Sequence, residues 1–158
     1  MTKFGDYDDQ ASPPGTASIL IKNGAITEEV FLSNLRKTSF GGAMSDETSV
    51  LPAASTSVPL FTFRLPFAFT VTEVRASLTT AGTGAALVTV DIHENGTTIL
   101  STKITIDATE KTSKTAVAAP VISDSLLADD AEIEVFLDVR DTDNVATGLK
   151  FTIIGYPT

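Results

Sequence analysis

The feature of this sequence that most constrains its fold is an alternation of apolar and polar residues that recurs from Val58 onward. Successive side chains of a β-strand point to opposite faces, so an alternation with a period of two predicts half-buried strands. It is clearest in residues 74–78, 88–93, 133–139 and 149–153. Asn95-Gly96 stands between two apolar segments and suits the positive φ angles of a two-residue hairpin turn. The C-terminal region is therefore predicted to be antiparallel β-structure.

The same pattern sets the expected domain organisation. No helical period lies between the strands, which excludes parallel β-α-β units, and about seven or eight short strands are typical of a β-sandwich. Small polar residues replace the periodic apolar ones over residues 52–57, where we place a linker. We therefore expect an all-β fold, with one antiparallel β-sandwich in residues 58–158 and an extended N-terminal arm in residues 1–57.

The arm combines a polar start with an apolar second half. Residues 6–15 are rich in Asp, Pro and Gly and contain too little apolar surface to bury themselves. Asn23-Gly24 is compatible with a tight hairpin turn. We favour a strand over residues 19–22 and then one short helix over residues 28–36, because Thr27 and the two glutamates after it resemble a helix N-terminus. The following apolar side chains are expected to bind a partner protein: Ile19, Ile21, Phe31, Leu32, Leu35 and Phe40.

Composition narrows the classes of partner. The chain has 158 residues, a net charge of -9 and 11 Lys and Arg residues that form no cluster, so nucleic acid is not expected as a partner. The sequence contains no Cys, which excludes disulfides and thiolate metal sites. No apolar stretch resembles a signal peptide or reaches the length of a membrane span, so we expect synthesis in a cytoplasm and no membrane partner.

Residues able to carry chemistry are few. His93 is the one histidine, and its place in a strand predicts a solvent-facing side chain beside Thr89 and Asp91 rather than a catalytic group. The acids Asp129, Asp130, Glu132 and Glu134 are adjacent or alternate along the chain, which is typical of a strand face exposed to solvent. Sugar hydrolysis by paired carboxylates is therefore a weak alternative. Residues 141–144 begin like a calcium loop but lack its next oxygen ligand and glycine, which favours a polar turn. We expect no enzyme activity, no cofactor and no metal.

Four phenylalanines crowd a short segment that a proline interrupts: Phe61, Phe63, Phe67 and Phe69. Alternation buries one face of a strand, so some of these rings exceed what a single core needs. Two interpretations stay open. Either all four rings pack inside the sandwich, or they form an interface between subunits near a threefold axis.

Three segments of the β-region resemble a module of tailed-bacteriophage structural proteins. They are Arg75-Ala-Ser-Leu-Thr-Thr-Ala-Gly-Thr-Gly, Val90-Asp-Ile-His-Glu-Asn-Gly and Ile99-Leu-Ser-Thr-Lys. The similarity continues through residues 106–113, 121–124, 127–133 and 148–155, and it spans residues 63–155. The resemblance implies a jelly-roll-like β-sandwich that assembles as a homotrimer in the virion, and it implies no chemistry.

On this resemblance we expect a virion structural protein that is made in the host cytoplasm and lies on the capsid surface. The first expectation is a capsid decoration, or cement, protein, which trimerises on the shell and clamps neighbouring copies of the major capsid protein through its arm. The alternative is a tail or fibre-associated protein that binds a host receptor. If the arm serves for attachment, deletion of residues 1–55 is expected to leave a folded, trimeric β-domain.

Overall fold

The computed structural model describes residues 20–22, 25–27 and 37–158, and the chain divides into two compact units, Met1–Arg36 and Lys37–Thr158. The described residues of the first unit form an antiparallel pair of β1 (Leu20–Lys22) and β2 (Ala25–Thr27). The strand expected over residues 19–22 is therefore present, and its pairing with β2 agrees with the hairpin alternative. The helix expected over residues 28–36 lies outside the described residues.

The second unit, called the β-domain here, is built from strands and loops. Its strands are β3 (Thr38–Ala43), β4 (Phe61–Arg64), β5 (Phe69–Ser77), β6 (Val88–Glu94), β7 (Thr97–Thr98), β8 (Leu100–Thr102), β9 (Ile104–Ile106), β10 (Val121–Ile122), β11 (Leu126–Leu127), β12 (Glu132–Val139) and β13 (Lys150–Pro157). Within the described ranges no helix is both long and apolar enough to cross a membrane. The all-β class predicted from the alternation is confirmed.

Two antiparallel sheets form the sandwich. One has the strand order β11-β5-β13-β3, and the other has the order β4-β12-β6-β7 with β9 also paired to β6. Both sheets send apolar side chains into one shared core. The long strands β5, β12 and β13 supply much of it: Phe69, Val71, Val74, Ala76, Ile133, Val135, Leu137, Phe151 and Ile153. Each fully buried large side chain contributes about 1.5–3 kcal/mol before entropy costs, so this core is the main source of stability.

The turn predicted at Asn95-Gly96 joins β6 to β7. Its two residues have φ angles of 48° and 83°, both in the left-handed region. His93 pairs with Thr98 and Glu94 with Thr97 on either side of it. A Cβ added at Gly96 would meet nothing within 4 Å, so glycine is favoured there by its backbone conformation. The predicted hairpin is confirmed.

The β-domain begins earlier in the chain than the pattern predicts. All of β3 pairs with β13, and Met44 and Leu51, which follow β3, are buried in the core. The Ser55 N–H donates to the carbonyl of Leu137 at 2.8 Å, so the expected linker also lies along the sandwich. The boundary expected after residue 57 therefore moves to residues 36/37. The alternation did not reveal β3 because this strand contains a single large apolar residue, Phe40.

Candidate functional site

A cluster of phenylalanines lies at one open side of the sandwich. Here β3, the edge strand of one sheet, meets β4, the edge strand of the other. Neighbouring ring centroids are 5.1–6.5 Å apart, which is the range of favourable aromatic contacts. The rings of this phenylalanine cluster belong to Phe40, Phe61, Phe63, Phe67, Phe69 and Phe151.

The cluster is graded from core to surface. Phe69 is 0 % exposed, and Phe151 is also buried. Phe61 and Phe63 are half-buried, and Phe67 is 37 % exposed. Phe69 therefore belongs to the core and offers no surface to a second subunit, which corrects its assignment to the interface. Phe61, Phe63 and Phe67 retain exposed area, so their role at an interface stays a prediction.

A shallow notch opens on the exposed side of the cluster. Its volume is about 180 Å³, and Phe40, Gly41, Phe61 and Phe63 line it. Gly42 is required beside it, because a Cβ at that position would lie 2.6 Å from the Phe61 ring. Among the strands that the structure describes, β3 and β4 each have one edge without a partner. Open backbone donors and acceptors therefore border an apolar surface, a combination that favours protein contacts.

The side chains predicted to bind a partner divide between the two units. Phe40 lies in the β-domain, where its ring centroid is 5.1 Å from that of Phe69 and 5.7 Å from that of Phe63. Phe40 packs against the core and also lines the notch. If it binds a partner, the same side chain therefore also stabilises the β-domain. Ile21 lies in β1. The remaining four, which are Ile19, Phe31, Leu32 and Leu35, lie outside the described residues.

A network of charged side chains occupies the β6 and β12 face opposite the core. Asp91, which is 2 % exposed, accepts a hydrogen bond from the Thr98 hydroxyl at 2.6 Å. The same carboxylate lies 3.1 Å from Nε2 of His93 and 2.9 Å from Nζ of Lys103. Lys103 also forms an ion pair with Asp138. The network is thus a buried acid held by a hydroxyl, an imidazole and an ammonium group.

This network corrects the expectation of a solvent-facing strand surface at Asp91 and His93. Asp91 is buried, and the half-buried His93 ring lies 4.4 Å from the ring of Phe136. Burial raises the pKa of Asp91, but the hydrogen bonds from Thr98, Lys103 and His93 outweigh burial and lower it overall. Alternation alone does not reveal that later segments of the chain pack over this face, so the network was not predictable from the sequence pattern.

Replacing Lys103 with Met should destabilise the β-domain more at neutral than at acid pH. In the native chain the pKa of Asp91 is lower in the folded state than in the unfolded state, where it is about 4. Asp91 therefore adds to the free energy of unfolding at pH values above the unfolded pKa. This stabilisation is lost as the pH falls through the folded pKa. Without the ammonium group, burial should raise the pKa of Asp91 above its unfolded value, and protonation would then favour folding. Because Lys103 is 40 % exposed, we expect a loss of about 1–2 kcal/mol at pH 7.

Urea unfolding of the Lys103→Met variant at pH 7 and pH 4 measures this difference, and the loss should shrink at pH 4. The matched control is Lys111→Met, because Lys111 is exposed and its ammonium group makes no ion pair within the described part of the chain. An equal loss at both pH values would contradict the role given to Asp91.

A cleft of about 440 Å³ lies between β5 and the segment that leads into β10. In its lining, Glu73 accepts two hydrogen bonds from Arg75, each of 2.8 Å, and lies 3.0 Å from Nζ of Lys114. The hydrogen bonds from Arg75 and Lys114 lower the pKa of Glu73 to about 2. The cleft therefore presents one ionised acid between two cations, and it suits a polar or anionic group.

Comparisons with known proteins return no relative. No protein-family model, no curated protein and no solved structure matches the chain. Function is therefore inferred from the residues, the geometry and the resemblance noted in the β-region.

Proposed function

We propose that this chain is a capsid decoration protein of a tailed bacteriophage. The observation that carries the proposal is the division of the chain into two units, with a β-domain that starts at Lys37 and has its own core. Residues 1–36 are then available for another task, and they contain the predicted partner-binding residues Phe31, Leu32 and Leu35. A segment that orders on a partner can bury a large area without a core of its own. In the proposal it binds across neighbouring copies of the major capsid protein.

The phenylalanine cluster supports a homotrimer as the assembled form. The exposed parts of Phe61, Phe63 and Phe67 would be removed from water if three copies met at the open side of the sandwich. Burial of apolar surface stabilises such a contact by about 25 cal/mol for each Å². Each copy carries a net charge of -9, so copies repel one another at long range. An uncharged contact surface keeps the cost of that repulsion low. The proposal gives no residue a catalytic role.

The cleft between β5 and β10 favours a second candidate function. A receptor-binding or fibre-associated tail protein needs a site that recognises a host molecule, and the Glu73, Arg75 and Lys114 group provides fixed charges in a concave surface. In that case the N-terminal unit would attach the chain to the tail.

Sedimentation analysis tests the trimer. The full chain should sediment at about three times the 16.6 kDa of one copy at micromolar concentration. The double variant Phe63→Ser, Phe67→Ser should sediment with the mass of the monomer, because both changes place a hydroxyl on the apolar contact surface. Val117→Ser is the matched control, because Val117 is highly exposed and lies outside the cluster. A full chain that stays monomeric at every concentration would refute the trimer.

Copy number separates the two candidate functions. Quantitative mass spectrometry of purified virions should find hundreds of copies for a decoration protein and a handful for a tail protein. In the first case, Phe31→Ala combined with Leu35→Ala should weaken co-sedimentation with capsids that lack the protein. Complete absence of the chain from virions would refute both candidates.

A further inference from the structure

The loop between β12 and β13 contains buried oxygens without hydrogen-bond partners. Three buried side-chain oxygens of the described residues lack a partner, and all three lie in residues 141–147: Asp141 Oδ1, Asp143 Oδ1 and Thr147 Oγ1. Asp141 is 2 % exposed as a whole residue. Native proteins rarely leave buried polar atoms without a hydrogen-bond partner. The free-energy cost is greatest when the unpaired oxygen belongs to an ionised group. The concentration of these atoms in one loop points to a missing ligand.

The second carboxylate oxygen, Oδ2, of both Asp141 and Asp143 does accept hydrogen bonds. Asp141 Oδ2 accepts hydrogen bonds from the N–H groups of Val145 at 2.7 Å and Ala146 at 3.0 Å. Asp143 Oδ2 accepts one from the N–H of Thr83 at 2.7 Å and another from the Thr83 hydroxyl. These bonds fix the direction of both carboxyl groups. They leave Oδ1 of each group free for a further ligand.

A second loop, which contains Gly82 and Gly84, packs directly on these acids. A Cβ at Gly82 would lie 2.6 Å from the Cβ of Asp141, and a Cβ at Gly84 would lie 3.1 Å from Oδ1 of Asp143. Asp141 and Asp143 lie two residues apart in the same loop, and both pack against the glycine loop. No ion pair joins either acid to a basic side chain in residues 37–158. Two neighbouring carboxylates without a basic partner are stabilised by a proton or a cation between them.

We propose that Asp141 and Asp143 bind a calcium ion between the two loops. Ca²⁺ accepts six to eight oxygen ligands of mixed type, including carboxylates, carbonyls and water. No group of three or more His, Cys, Asp or Glu side chains converges in the described residues, so neutral oxygens must complete the shell. Zn²⁺ prefers nitrogen and sulfur ligands, which this loop does not offer. The neighbouring residues Thr142 and Asn144 are exposed.

The proposal departs from the sequence analysis, which favoured a polar turn without a metal over residues 141–144. The calcium-loop pattern is incomplete along the chain, but the structure brings Thr83 and the glycine loop to the same place. With two charged ligands, we expect a Kd of about 10⁻⁴–10⁻³ M. The inference does not depend on the proposed function.

Calorimetric titration of the full chain with CaCl₂, after treatment with a chelator, tests the proposal directly. Thermal unfolding followed by circular dichroism provides the second readout. At a Ca²⁺ concentration about ten times the Kd, the Tm should rise by about 5 °C. MgCl₂ at the same concentration should give a smaller shift, because Mg²⁺ demands a regular octahedral shell.

Two variants and a control assign the effect to the loop. Asp143→Asn keeps the shape of the side chain and should weaken Ca²⁺ binding at least tenfold, and Asp141→Asn serves the same purpose if the first variant fails to fold. Asp129→Asn, an exposed acid elsewhere, should bind Ca²⁺ as the native chain does. Absence of both heat and Tm shift in the native chain would overturn the proposal, as would equal Ca²⁺ affinity in Asp143→Asn. A Tm that rises on acidification but not with Ca²⁺ would assign a shared proton to the site instead.

Discussion

Deletion of residues 1–55 should unfold the β-domain, whereas deletion of residues 1–36 should leave it folded. The longer deletion removes β3 and leaves one edge of β13 without its partner. It also removes Met44 and Leu51 from the core, and the loss of such a side chain costs about 2–5 kcal/mol. Together these losses approach the entire stability of an ordinary domain, about 5–15 kcal/mol. The structure thus reverses the expectation that residues 1–55 are dispensable.

Thermal unfolding of the two truncated chains, monitored by circular dichroism, measures this difference. The chain that starts at Lys37 is the matched control, since it keeps every described element of the β-domain. A cooperative transition in both chains, with Tm values within a few degrees, would show that β3 is dispensable. Failure of the Lys37 chain to fold would place part of residues 1–36 in the core.

Phe69→Ala should destabilise the β-domain by about 3–5 kcal/mol, and Phe67→Ala by less than about 1 kcal/mol. The two rings are near neighbours, with centroids 6.5 Å apart, but Phe69 is fully buried and Phe67 is 37 % exposed. Phe69 also packs closely on Gly155, where an added Cβ would lie 2.7 Å from its ring. Truncation of Phe69 therefore opens a cavity in the core, whereas truncation of Phe67 removes a ring that lies at the surface.

Urea unfolding of both variants measures the two free energies. Self-association provides the complementary readout, because Phe67→Ala should weaken the trimer while it leaves the stability of the β-domain almost unchanged. Equal losses of stability would mean that both rings belong to the core. In that case the proposed interface would have to lie elsewhere.

The strands that the sequence predicts well are those with strict alternation. In β6, β12 and β13 alternating apolar side chains are buried along most of each strand, and the local pattern therefore contains the needed information. The hairpin at Asn95-Gly96 was predictable for the same reason, because its turn chemistry is local. By contrast, β3 was missed because its two glycines and small residues carry no period. Its partner β13 is also far away along the chain, so the pairing leaves no local signal.

The candidate sites were less predictable than the strands because they depend on which segments meet. The sequence shows that Phe61 to Phe69 contains more rings than one strand face can bury, but it does not show which ring stays exposed. Asp91 lies in a regular alternation, and its burial depends on Thr98 and Lys103 from later in the chain. The free oxygens of Asp141 and Asp143 become apparent when the partners of the other two oxygens are known.

The position of β13 has a consequence for how the domain folds during synthesis. β13 pairs with β5 on one side and with β3 on the other, although both of those strands are made much earlier. Until residues 150–157 leave the ribosome, β3 and β5 have no shared partner, and their edges and apolar faces remain available to other chains. Such long-range pairing slows folding, because the chain must close large loops before the contacts compensate. The nascent chain therefore exposes these strand edges until β13 emerges from the ribosome.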